Sequence, residues 1–154
     1  MTALLATGLV IADSVDESLF TKIDATMAQA RQDQMPLLAP LAWDKATQAY
    51  ARARDNFEHN RPQIQITKYI DEVSAALTSA TDTMRLGRVS FEAALTSRAN
   101  ALSAGADKIA GRIYTTAEEQ FRKAAITQER GRSDKAQAQA AEAVQSYRTA
   151  ELEA

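Results

Sequence analysis

The sequence predicts an all-α fold of antiparallel helical hairpins joined by a long helix. Three observations carry this. Apolar residues recur at helical spacing from Tyr114 to Ala154 and again about 70 residues earlier, each stretch is interrupted once by turn-forming residues, and all three prolines lie at or before Pro62. Nothing after Pro62 forbids helix.

The clearest hairpin spans 114–153. In its first helix Tyr114, Ala117, Phe121, Ala124 and Ala125 share one face, with Glu118, Glu119, Arg122, Lys123 and Glu129 on the other. Gly131 suits the positive φ of a helix C-terminus, and Ser133 with Asp134 supplies N-cap chemistry. The second helix carries Ala136, Ala140, Ala143, Val144, Tyr147 and Ala150 as its apolar stripe, mostly small residues that permit close helix approach.

A first hairpin is expected at 41–82. A shift of 71 sets Trp43 on Tyr114, Ala46 on Ala117, Tyr50 on Phe121 and Ala53 on Ala124; after the turn a shift of 70 sets Glu72 on Glu142, Leu77 on Tyr147 and Ala80 on Ala150. This pattern predicts two related hairpins that bury their faces on each other. Tyr50 and Phe121 should then behave alike, each packed against the second helix of its own hairpin at Leu77 or Tyr147.

Between and before the hairpins the pattern changes. Residues 1–12 are apolar apart from Thr2 and Thr7 and end Val10-Ile11-Ala12, which reads either as a truncated signal peptide lacking its basic segment or as an N-terminal helix. The remainder, 13–154, reads as one helical domain, and the apolar run is too short to span a membrane. Val15, Leu19, Ile23, Met27 and Ala30 form the stripe of a helix in either case. Pro36 and Pro40 make Gln32–Pro40 a connector. After Pro62 one helix is expected to run to Ser103, with Gly87 as its bend or its point of close contact, and Ala104-Gly105-Ala106-Asp107 and Gly111 break it before Tyr114. About five helices result.

Composition excludes more than it suggests. A net charge of −2 with 25% charged residues gives no sign of a nucleic-acid partner. No Cys is present for thiolate ligands or nucleophiles, and His59 is the single histidine, set in a turn without a second imidazole. The acidic pair Glu118 and Glu119 is adjacent on a helix and points in different directions, so it reads as a solvated face. There is no phosphate-binding Gly loop, no nucleophile elbow and no Glu-x-x-His pair, so the expectation is a non-catalytic chain without metal or cofactor. The large aromatics Trp43, Tyr50, Tyr69, Tyr114, Phe121 and Tyr147 read as core. One binding feature stands out: the hairpin turns carry His59 and Arg61, and Arg130, Arg132 and Lys135. If the hairpins stack in parallel, these cations share one end of the molecule and form a site for anions, although cations also answer the dipole at helix ends.

The run Ala117-Glu118, Phe121, Ala124, Gly131, Ala136, Ala140-Ala141-Glu142-Ala143, Tyr147 and Ala150-Glu151, preceded by Leu41-Ala42-Trp43, Ala46, Tyr50, Glu72, Leu77 and Ala80, resembles an uncharacterised family of small Ala-rich helical bacterial envelope proteins. These are often lipoproteins, some ahead of an OmpA-like peptidoglycan-binding domain. Residues 40–154 carry the likeness. With no Cys and no OmpA-like segment in this sequence, lipid anchoring and cell-wall binding fall outside what it implies. Ala124, Gly131, Ala136 and Ala143 also resemble the small-residue positions of tetratricopeptide repeats, whose aromatic pattern is not matched. The expectation is a periplasmic or secreted protein acting through protein interaction or self-assembly; the alternative is amphipathic-helix binding to an anionic lipid or cell-envelope polymer surface.

Overall fold

A computed structural model describes residues 12–154, with side-chain surroundings from Glu17 onward. Eight helices and no strand are present among the described residues: α1 (Ala12–Gln32), α2 (Met35–Leu38), α3 (Pro40–Glu58), α4 (Gln63–Ser90), α5 (Glu92–Ser103), α6 (Ala106–Ile109), α7 (Gly111–Glu129) and α8 (Ser133–Leu152). The fold is all-α. Residues 1–11, read above as leader or helix, lie outside the described residues.

Two of the eight helices were not expected, because four-residue helices are too short for periodicity to register. The stretch assigned as a connector contains α2, and the break before Tyr114 contains α6. Both prolines sit at the starts of helices, Pro36 in the first turn of α2 and Pro40 at the start of α3, where no backbone N–H is needed. Gln34 (φ 63°) and Gly105 (φ 81°) turn the chain into α2 and α6 through the left-handed region.

The hairpin turns close in one way. Asn60 (φ 50°) and Gly131 (φ 73°) are left-handed, and the next amide in each reaches back five residues, Arg61 to the Asn56 carbonyl (2.9 Å) and Arg132 to the Thr127 carbonyl (3.2 Å). This double closure satisfies the last carbonyls of α3 and α7.

α3 pairs with α4 and α7 with α8 along their lengths; α1 lies on α4, α5 lies on α8, and α2 sits among α3, α4 and α7. The observed hairpins are Pro40–Ser90, which contains 41–82, and Gly111–Leu152, which covers all but the last residue of 114–153. In α1 the buried stripe is Phe20, Ile23, Met27 and Ala30. Leu19 is only half-buried, and Phe20 takes the inward place expected for it.

The order of elements recurs. α2 and α6, and likewise α3 and α7, begin and end 71 residues apart; α1 and α5 end 71 apart; α4 and α8 begin 70 apart.

The long helix breaks at Phe91, not at Gly87. Phe91 (φ −113°, ψ 18°) separates α4 from α5, yet its amide still bonds the Gly87 carbonyl (2.9 Å) and the Leu95 amide bonds the Phe91 carbonyl (2.9 Å). The junction is a bend in which the Phe91 ring turns fully inward, packing edge-on against Phe121 at 5.5 Å. Gly87 serves as the close contact: the fully buried Leu38 of α2 lies over its backbone, with Cδ2 3.6 Å from where a β-carbon would stand. Tyr50 is matched by a similar edge-on contact with Phe20 at 6.0 Å. The two rings thus meet Phe20 of α1 and, at the α4–α5 bend, Phe91.

Candidate functional site: a basic groove on the last hairpin

The cations of the last turn line a groove of about 370 Å³ between α7 and α8, with Arg122 and Lys123 on α7, Arg130 just after it, Arg132 just before α8, and Lys135 and Gln139 on α8. Spacings of three and four residues bring Glu119, Arg122, Ile126 and Arg130 to one face. Glu119 is the one acidic residue in the lining. The first turn of α8 has no side-chain cap on its amides, so their partial positive charge adds to that of the side chains.

The groove is anchored to the first hairpin. Arg122 donates to Asp44 Oδ2 (2.6 Å), and the Glu129 carboxylate accepts the backbone amides of Leu41 (2.7 Å) and Ala42 (3.0 Å), capping α3 from a distant part of the chain. Burial raises the pKa of Glu129 and outweighs those two bonds, which act in the opposite direction.

These contacts also separate the two turns. The end of α7 lies at the start of α3, so Arg130 stands near Leu41, whereas His59 and Arg61 lie beyond the other end of α3, about 27 Å of helix away. Arg130, Arg132 and Lys135 are brought together; His59 and Arg61 are not with them. His59 is exposed, and its Nδ1 lies 2.8 Å from the Asp55 carbonyl oxygen. A hairpin pair stacked in parallel would have joined the turns, but here the end of α7 meets the start of α3.

A second polar cluster lies inside the other face of the same hairpin. Arg98 on α5 donates to Glu118 (2.6 and 3.3 Å), and the Tyr147 hydroxyl donates to Glu118 Oε1 (2.7 Å). Burial pushes the Glu118 carboxyl up, but the bonds from Arg98 and Tyr147 prevail and hold it below its ordinary value. Burial, with Glu118 as acceptor, drives the Tyr147 phenol far upward. Tyr114, whose hydroxyl is buried without a properly aligned partner, is pushed up to about 12 by burial and by the same carboxylate. Glu118 is therefore not on a solvated face. Its signal in the sequence is its place four residues after Tyr114 and three before Phe121, at the edge of the buried stripe. Glu119 does face outward, into the basic groove.

Among the described residues no three His, Asp or Glu side chains gather as a metal set, and no helix is long and apolar enough to cross a membrane. No family model matches this chain, and neither does any curated protein or solved structure.

Proposed function

We propose that this chain is a non-catalytic helical interaction module of two related units, and that it docks a helix of a partner protein on the end formed by α6, α7 and α8. One observation carries the reading: Leu38 of α2 is 0% exposed, whereas Ile109, 71 residues on and last in α6, is 64% exposed. Leu38 is covered because the helix bearing Gly87 lies across it. Ile109 presents the same kind of side chain without that cover, and on this reading the partner helix supplies it.

The occupant is a helix with a small residue at its centre, as Gly87 is small under Leu38. A second copy of this chain fits poorly. The position 71 residues before Gly87 is Asp16, and Arg54 stands where the fully buried Ala125 stands in the second unit, held by Asp24 and lying over Phe20. On its resemblance to small Ala-rich envelope proteins, we place the module in the periplasm or outside the cell.

The test uses a labelled synthetic peptide of residues 83–103, the segment across the α4–α5 bend that includes Gly87, titrated against the protein by fluorescence anisotropy. Saturable binding with a Kd of roughly 10–100 μM, weakened at least about tenfold by Ile109→Asp, supports the docking end. Absence of binding, or equal binding by Ile109→Asp, overturns it.

A further inference from the structure

We infer that the basic groove between α7 and α8 binds an anionic polymer whose repeating units also carry hydroxyl groups. The site is separate from the Ile109 end, so the two readings stand or fall independently.

Three features define the ligand. The cations are strung out: Lys123 and Arg130 are seven residues, about 10 Å, apart along the chain, with Arg132 and Lys135 following onto α8, while Arg122 is held by Asp44. A lone phosphate engages donors converging on one point, whereas this spread suits successive charges along a chain. The groove is also concave, which favours a strand over a flat membrane. Gln139 supplies the third feature. It lines the groove, is 7% exposed, and its Oε1 has no hydrogen-bond partner. Buried amide oxygens are rarely left in this state; this one has almost no accessible surface, so the side chain must turn toward the groove to meet a donor there. Cations and uncapped amides call for negative charge, while Gln139 and the Glu119 carboxylate call for O–H groups beside it. A polyanion of hydroxylated units meets both demands. The lining contains no aromatic ring on which a base could stack, which argues against single-stranded nucleic acid.

The experiment titrates fluorescein-labelled polygalacturonate, which has a carboxylate and free hydroxyls on every unit, against the whole chain. The comparisons are polyphosphate of matched charge, poly-uridylate, and vesicles of phosphatidylglycerol. Polygalacturonate is expected to bind about tenfold more tightly than polyphosphate and to be released by high salt. Gln139→Leu should erase that tenfold preference without lowering Tm, since it removes an orphaned polar group from a buried place. Arg132→Glu with Lys135→Glu, both on the exposed rim, should abolish binding of either polymer. If polygalacturonate does not bind, if it binds no better than polyphosphate and ignores Gln139→Leu, or if poly-uridylate or the vesicles bind more tightly, the inference is overturned.

Discussion

Phe20 and Phe91 stand 71 residues apart and share one relationship: each is almost fully buried, at 2% and 1% exposure, and each meets edge-on the aromatic ring of the helix that opens its hairpin, Tyr50 and Phe121. Replacing either phenylalanine with Ala should cost about 3–5 kcal/mol, a large share of the ~5–15 kcal/mol that stabilises a small domain. Urea unfolding of both variants checks this. A loss below about 1 kcal/mol in either would mean that its ring is not a core anchor.

The partners of these rings should respond unequally, although their sequence positions correspond. Phe121 is 0% exposed, while Tyr50 is only partly buried and places its hydroxyl between Asp24 and Arg54. Phe121→Ala should cost about 3–5 kcal/mol and Tyr50→Ala roughly half as much, with His59→Ala within about 0.5 kcal/mol. Thermal unfolding of the three variants side by side decides it; equal losses for Tyr50→Ala and Phe121→Ala would contradict the packing described.

Glu118 sets one pH limit. Its folded pKa lies below its ordinary value, so its stabilisation is present above the unfolded value of about 4.3 and is lost as pH falls through the lowered folded value. Glu118→Gln should therefore flatten the acid limb of stability against pH and cost about 1–3 kcal/mol at neutral pH, because Arg98 loses its partner. Tyr147→Phe removes one donor and should shift Glu118 upward, which carbon-detected NMR of its carboxyl can follow. A steeper acid limb in Glu118→Gln would refute the assignment.

Glu129 has the opposite sign. Its folded pKa is raised, so the related stability is full below the unfolded value and is lost as pH rises through the raised folded value. Its oxygens nonetheless cap α3, and Glu129→Ala should cost about 0.5–2 kcal/mol, the usual range for a lost N-terminal cap. Amide hydrogen exchange at Leu41 and Ala42 should quicken in that variant. Unchanged exchange there would mean the cap is not formed in solution.

The glycines divide by backbone conformation. Gly87 is helical and has ordinary contact distance for a β-carbon, 3.6 Å from Leu38, so Gly87→Ala should be neutral or stabilise by up to about 1 kcal/mol. Gly131 has open space around it but a φ of 73°, so Gly131→Ala should destabilise by about 1 kcal/mol. Differential scanning calorimetry should order the melting temperatures Gly87→Ala at or above the parent and Gly131→Ala below it. The reverse order would place the strain at the α4 contact instead of the turn.

Local rules are enough to read much of this chain. The stripe from Tyr114 to Ala150 marks α7 and α8 because burial on one helix face follows a period that a linear sequence displays. Gly131 marks their turn, and the correspondence of Trp43, Ala46, Tyr50 and Ala53 with positions 71 residues later marks α3. Tertiary structure decided what each element meets. Periodicity says which face is buried but not against which neighbour, so it left open that Phe121 would find Phe91, that Leu38 would rest on Gly87, and that the end of α7 would meet the start of α3 and set His59 and Arg61 far from Arg130. Glu118 illustrates the limit most directly. Its charge marks it as solvated in one dimension, and only the arrival of Arg98 from α5 and Tyr147 from α8 makes its burial affordable, because a carboxylate can leave water only where donors replace it.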